Sequence, residues 1–442
     1  MNRFLPGPDW PFAPRRLPVF YGWVVLAVST LGILASIPGQ TMGMAVFTEP
    51  LMAALDLTRT ELSLAYMFGT IGSSLFLTRA GRLYDRIGGR ALIVAASLAL
   101  ALTLLWIATL DRIVGLLPTG LRGAGAFLLI LVGYLFVRFF GQGVLTSASR
   151  NILLSWFERR RGLVSGLRGV FVSLGFSLAP PLLALLIALF DWRGALLVLA
   201  VVCGPLFAFL ALALARDAPE PCGLRPDGDA PATDAAPAAP VTGASLHTAR
   251  RAPVFWIYCL GLAMHAMFGT AITFHVVSIF AAAGRDAAEA FGYFLPVALV
   301  STSSNMLASW ASDRTPLRPW LLLMLGAFLV ACGGLWLLEA AAGYGLLVLG
   351  QGVGGGLWGM ISNIAWVRLF GRANLGAISG QATSLTVFFS AVGPAAFALA
   401  LDATGSFRPA VIASAAGFAA LLVGALVLGV TPEERAPRAP RP

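Results

Sequence analysis

Residues 81–110 read GRLYDRIGGRALIVAASLALALTLLWIATL. A charged, glycine-rich stretch ends at Arg90, and the twenty residues after it carry no charge. Twenty apolar residues in helical form cover the ~30 Å hydrocarbon core of a bilayer. The same alternation of short charged breaks and long apolar runs recurs along the chain. Of the 442 residues, 58% are hydrophobic and only 11% charged, and the mean hydropathy is +0.84. An ordinary soluble domain carries about 25% charged residues, so this chain cannot clothe a water-exposed surface. A soluble enzyme, a secreted disulfide scaffold and a disordered chain are excluded, and a polytopic helical membrane protein remains.

Working outward from this stretch gives twelve apolar runs: 19–44, 60–78, 90–110, 123–149, 163–190 and 193–215 in the first half, then 254–283, 287–311, 319–340, 343–368, 375–401 and 407–430. Residues 216–252, dense in Pro, Ala, Asp and Gly, cannot bury a core and read as a polar linker. The expected organisation is an N-terminal segment (1–18), a first six-helix bundle (19–215), the linker, a second six-helix bundle (253–430) and a tail (431–442). Residues 1–18 are too polar and too proline-rich for a cleaved signal peptide.

All thirty basic residues are arginine. With a cytoplasmic N-terminus, twenty of them fall in inside segments and six in outside loops. That asymmetry places both termini and the linker on the cytoplasmic side of a cell inner (cytoplasmic) membrane. The net charge of +10 is therefore an orientation signal, and no nucleic-acid partner is expected. The four cysteines (Cys203, Cys222, Cys259 and Cys332) have no metal-ligand spacing. No nucleophile constellation, metal cluster or nucleotide loop is present, so no cofactor and no enzymatic activity are expected.

The two halves echo one another. Gly141-Gln142-Gly143-Val144 recurs as Gly350-Gln351-Gly352-Val353, and Trp156 is matched by Trp366. Gly166 and Pro180 match Gly380 and Pro394 at a common offset of 214, and Asp85-Arg86 matches Asp313-Arg314. Six helices per half give both copies the same orientation. The expected fold is an all-α integral membrane protein of 12 transmembrane helices built as two parallel six-helix repeats, with a solute site between the halves near the midplane.

These residues carry a resemblance. Gly81-Arg82-Leu83-Tyr84-Asp85-Arg86-Ile87-Gly88-Gly89-Arg90 is similar, at every fixed position, to the major facilitator superfamily signature between its second and third helices. Arg138 with Gly141-Gln142-Gly143 resembles the fourth-helix Arg-x-x-x-Gly motif, with its spacing shifted by one. Phe20-Tyr21-Gly22-Trp23 and Trp156-Phe157-Glu158-Arg159-Arg160-Arg161-Gly162 resemble the monocarboxylate and oxalate/formate transporter branch. The resemblance implies the major facilitator fold and alternating access. It also implies a conformational latch of Gly81, Asp85, Arg86, Gly88 and Arg90, in which Asp85 faces the start of the eleventh helix near Asn374 or Leu375. An anion is favoured at that helix terminus by its dipole. In the signature itself, Gly81, Gly88 and Gly89 are expected to turn the chain tightly between two helices.

Ionisable residues deep in a span are functional candidates by default. Arg138 falls near the midplane of the fourth run, where a planar guanidinium suits a carboxylate or braces two helices. His265 falls near the middle of the seventh run and His275 ten residues on, about 280° around the helix; either is a candidate for a coupling proton. The polar run Ser301-Thr302-Ser303-Ser304-Asn305 offers hydrogen-bonding groups, Ser301 and Asn305 foremost, with Asn363 and Gln381 as weaker candidates. Trp358 and Trp366 could stack on a substrate or pack helices. Arg150 and Arg168 are expected to snorkel to the interface. The proton-coupled members of the branch carry a lysine in the first helix and an Asp/Arg pair in the eighth; here Ser301 and Asn305 stand at the paired positions. No Asp or Glu falls near the middle of any run.

The expected function is secondary transport of a small organic solute, most of all a carboxylate-type organic anion, by a monomer in the lipid bilayer. Export of a neutral or amphipathic compound is the alternative, and a non-transporting membrane sensor a third reading.

Overall fold

The structure is a computed structural model that describes residues 6–228 and 243–427. The tail 431–442, the centre of the linker and the first five residues lie outside the described residues. Among the described residues the secondary structure is helical, apart from one isolated bridge between Gly243 and Gly371.

Eight described helices are long and apolar enough to cross a membrane. One of them, Arg161–Leu214, is broken at Asp191 (φ 60°) and supplies both the fifth and sixth spans. Gly89–Ala108 and Thr119–Trp156 are the third and fourth, Pro253–Ala282 the seventh, and Arg318–Trp336, Ala341–Phe370, Leu375–Thr404 and Arg408–Val427 the ninth to twelfth. Gly22–Ala35, Arg59–Ile87 and Phe294–Ser312 complete twelve as the first, second and eighth.

Three boundaries differ from the hydropathy reading, each for a backbone reason. The first span stops at Ala35 and a 3-10 turn, Ile37–Gly39, follows, because Pro38 brings no amide to continue the ladder. The second span stays helical through the charged signature to Ile87; the turn falls on Gly88 alone (φ 86°), and the third span starts at Gly89. Charge ends an apolar run without ending a helix, so the expected turn at Gly81 is corrected to a helical position. The fourth span continues to Trp156 and contains a π-helical segment, Arg138–Leu145, between Arg122–Val137 and Thr146–Trp156.

The chain forms two compact units. The first contains Met1–Arg159, Phe171–Val241 and Asn374–Ser384; the second contains Arg160–Val170, Thr242–Ala373 and Leu385–Pro442. Small residues set the helix approach in both, as expected where packing rather than hydrophobicity joins helices in lipid. In the first unit a Cβ at Gly39 would press on Val137 O, Gln142 N and Gly141 Cα. In the second, Gly350, Gly352 and Gly356 give span 10 close access to Ala331, Val300 and the Ser301 carbonyl.

An aromatic clasp repeats in each unit. Phe20 and Tyr21, at the start of span 1, lie 5.9 and 5.5 Å from Trp156 at the end of span 4. Phe255, at the start of span 7, lies 5.7 Å from Trp366 near the end of span 10. The repeat seen in sequence at Trp156 and Trp366 is thus a repeat of packing.

The start of the linker is an ordered part of the first unit. Arg216 is 1% exposed and donates to Pro8 O, Trp10 O and Ala213 O, while Trp156 Nε1 donates to Arg216 O at 2.8 Å. Asp217 Oδ1 accepts from Arg90 N at 2.7 Å, capping span 3. Asp227 Oδ2 accepts the amides of Glu158 and Arg159.

Candidate functional site: a buried arginine and two aspartate caps

Arg138 opens the π-helical segment of span 4. A π turn bonds i to i+5 and takes one residue more than an α turn. That extra residue is the physical reason for the shifted motif: Gly143 stands five after Arg138 where a regular helix would place it four after. Arg138 is 2% exposed. Its Nη1 donates to Gly39 O at 3.0 Å and Thr41 Oγ1 at 3.3 Å, and the guanidinium lies 5.1 Å over the Tyr66 ring. Tyr66 in turn donates to Thr41 Oγ1 at 3.0 Å and packs edge-on against Tyr134 at 5.2 Å. Arg138 Nε is buried and donates to nothing, and Gln142 Oε1 of the same segment is likewise without a donor. Sequence reasoning missed Tyr66. Its signal is position: eight residues after Thr58, it stands two turns into span 2, where a tyrosine hydroxyl needs a partner.

Asp85 is the second element. Its carboxylate accepts Gly376 N and Ala377 N, both at 2.8 Å, capping span 11. A Cβ at Gly81 would collide with the Gly376 carbonyl, so the signature glycine serves close approach. Of the expected latch residues, Arg86 is exposed, and Arg90 is spent on the carbonyls of Pro6, Gly7 and Leu212. The latch geometry is therefore an aspartate on two amides; among the described residues no ion pair joins it.

The second unit holds a copy that the sequence reading left unassigned. Asp313 accepts Gly162 N at 2.7 Å and Leu163 N at 2.9 Å at the start of span 5. Gly162 and Leu163 stand 214 residues before Gly376 and Ala377, the offset already given by Gly166/Gly380. Ser309 occupies the place of Gly81, four before the aspartate, and its carbonyl is what a Cβ on Gly162 would strike.

The remaining candidates separate by unit. In the first, Gln381 accepts from Thr78 Oγ1 at 3.4 Å, and Arg150 Nη2 donates to Thr383 Oγ1 at 3.3 Å. In the second, Asn305 Nδ2 donates to Gly356 O at 2.9 Å, and Asn363 accepts from Arg168 Nη2 at 2.6 Å while donating to Gly359 O. A Cβ on Gly359 would also press on Asn305 Nδ2, so Asn305 and Asn363 converge on one turn of span 10. Ser301 lies against Gly355 at that helix. Arg168 is 2% exposed. The expected snorkelling of Arg150 and Arg168 is corrected: both bond polar groups on other helices.

His265 stacks on Phe328 at 4.4 Å and lies 5.3 Å from Trp358, whose Nε1 donates to Leu262 O. Its Nδ1 is buried without a partner. His275 bonds Pro394 O through Nε2 at 2.9 Å.

The sequence profile of the Major Facilitator Superfamily matches residues 28–394. No curated protein matches the sequence. Among solved structures, the proton:xylose symporter XylE bound to 6-bromo-6-deoxy-D-glucose is similar with a TM-score of 0.65 at 15% identity, over 92% of this chain and 95% of that one. The E. coli fucose:proton symporter FucP gives 0.63 at 16% identity, over 93% and 100%. The human organic anion transporter TETRAN gives 0.59 at 17% identity, over 93% and 100%. With the profile spanning both halves and the twelve-helix fold in place, the chain belongs to the Major Facilitator Superfamily, a family of multi-pass membrane transporters of small solutes and not of enzymes.

Proposed function

We propose that the chain is a secondary carrier of a small carboxylate, working by alternating access as a monomer in the cytoplasmic membrane with both termini inside. The observation that carries this reading is Arg138: a fully buried guanidinium in a π-helical segment, with Nε unanswered and no carboxylate among its contacts. Arg150 and Arg168 add positive charge within the fourth and fifth spans, and the sequence puts no Asp or Glu near the middle of a span. A buried cation without a fixed counter-ion favours an anion as its guest. Asn305, Ser301 and Asn363 serve as neutral hydrogen-bonding groups toward the solute, with Gln381 as a fourth. His265, with its free Nδ1, is the first candidate for a coupling proton and His275 the second. Asp85 and Asp313 act as latches that open when the carrier changes state. The likeness to the monocarboxylate and oxalate/formate branch points to the same solute class, as does the likeness to an organic anion transporter.

One observation favours a second reading. Arg138 already donates to Gly39 O and Thr41 Oγ1, as a helix brace would, and Phe139 packs against Phe76 and Phe140 beside it. Export of a neutral or amphipathic compound would use that aromatic surface.

Counterflow in proteoliposomes separates the two. Vesicles are loaded in turn with lactate, pyruvate, glycolate, oxalate, formate and larger carboxylates. Exchange of one acid well above protein-free vesicles is the expected result. Exchange of none by a folded sample overturns the carboxylate reading in favour of the second.

A further inference from the structure

Away from the residues assigned above, the second unit holds a cavity of about 190 Å³ where span 7 ends at Ala282, span 9 at Trp336, and span 12 begins at Arg408. Ile279, Leu335 and Val411 give it an apolar wall, and Trp336, Glu339 and Arg408 its polar side. The position is that of a membrane–water interface, where three spans meet their ends and Trp is enriched. Arg408 lies 5.0 Å over the Trp336 ring, and its Nη2 is 3.5 Å from Glu339 Oε1.

That ion pair is longer than the 2.7–2.9 Å of a charge-assisted hydrogen bond, and both side chains are mostly exposed, at 59% and 71%. Such a pair contributes little to folding. It presents one charge of each sign, side by side, to whatever enters. The rim is fixed from behind: Arg285 Nε donates to Leu338 O at 2.7 Å and its Nη2 to Ala340 O at 3.1 Å.

We propose that this cavity binds the headgroup of a zwitterionic lipid bearing a primary ammonium, a phosphatidylethanolamine. Arg408 takes the phosphate as a planar fork, and Glu339 accepts N–H bonds from the ammonium. The apolar wall continues into the span ends, where the first carbons of the acyl chains lie. A quaternary ammonium has no N–H to give Glu339, and an anionic headgroup would meet Glu339 as a like charge. The cavity therefore discriminates against phosphatidylcholine and phosphatidylglycerol. The apolar wall favours the lipid over the free headgroup.

The full-length chain in detergent, equilibrated with equimolar dioleoyl phosphatidylethanolamine, phosphatidylcholine and phosphatidylglycerol, would be read by native mass spectrometry. Phosphatidylethanolamine is expected to be retained at least fivefold over either other lipid. Glu339→Gln and Arg408→Gln should each cut that excess below twofold without lowering the thermal midpoint, since both side chains are exposed. Equal retention of the three lipids by the unaltered chain overturns the proposal, and so does an excess that survives both substitutions. Displacement of the lipid by millimolar free phosphoethanolamine would overturn it in favour of a soluble zwitterion.

Discussion

Arg138→Gln is expected to lower carboxylate counterflow at least a hundredfold while the protein still folds. A unit charge pair at 4 Å is worth ~4 kcal/mol at an effective dielectric of about 20, close to a thousandfold in affinity, and a neutral amide recovers part of this by hydrogen bonding. Arg138 bonds both Gly39 O and Thr41 Oγ1 through Nη1, two bonds beyond the reach of a glutamine amide, so both bonds are lost. Each loss costs ~1.5–3 kcal/mol at most, partly offset because no charge then remains buried. Arg138→Lys keeps the charge but loses the planar fork and the flat contact with Tyr66. It should therefore fall between the two, near tenfold. The order wild type, Lys, Gln marks a charge partner of the solute. Equal damage by Lys and Gln, with a lowered thermal midpoint, marks a brace. Wild-type exchange by Arg138→Gln would remove Arg138 from the site altogether.

The fold was legible because hydrocarbon thickness acts on every span alike. The run 91–110 declared a helix by length, and the Asp85-Arg86/Asp313-Arg314 and Gly166/Gly380 matches declared the duplication. Hydropathy missed the helix boundaries that the backbone sets: the run 19–44 passes through Pro38 although the first span stops at Ala35, and the run 60–78 ends well before the turn at Gly88. Charge misled at 79–87, since Arg and Asp end hydropathy but are comfortable in a helix. The π segment was half-visible: a motif one residue out of register is what an inserted residue leaves in a sequence.

The site was less legible, because partners come from elsewhere in the chain. Arg90 looked like a latch cation, yet it is spent on the N-terminal segment and Leu212 O. Arg150 and Arg168 looked like interface residues, and nothing local in sequence announces Thr383 or Asn363 as their acceptors. The second aspartate cap was within reach. Asp313 was matched to Asp85, and carrying the offset of 214 from Gly376 back to Gly162 would have named its amides. Ser309 in place of Gly81 hid it, since the close approach survives with a slightly larger residue.

That pair of caps gives the other large effect. Each aspartate accepts two amides at a helix start, at 2.7 to 2.9 Å. A cap of this kind is worth ~1 kcal/mol, and its negative charge at the dipole adds ~0.3–1 kcal/mol. Asparagine offers one acceptor oxygen and no charge, so each Asp→Asn change should loosen its cap by about tenfold. Ser379 and Ser309, each 1% exposed, are suited as cysteine reporters beside the first and second caps. If each cap held only its own helix, Asp85→Asn would raise alkylation of Ser379→Cys alone, and Asp313→Asn that of Ser309→Cys alone. A carrier that alternates between two states has one equilibrium, and any contact made in only one state biases the whole of it. Either substitution is therefore expected to raise alkylation at both reporters about tenfold, and the two together about a hundredfold. A response confined to the substituted cap would make these aspartates local helix caps and remove them from the transport cycle.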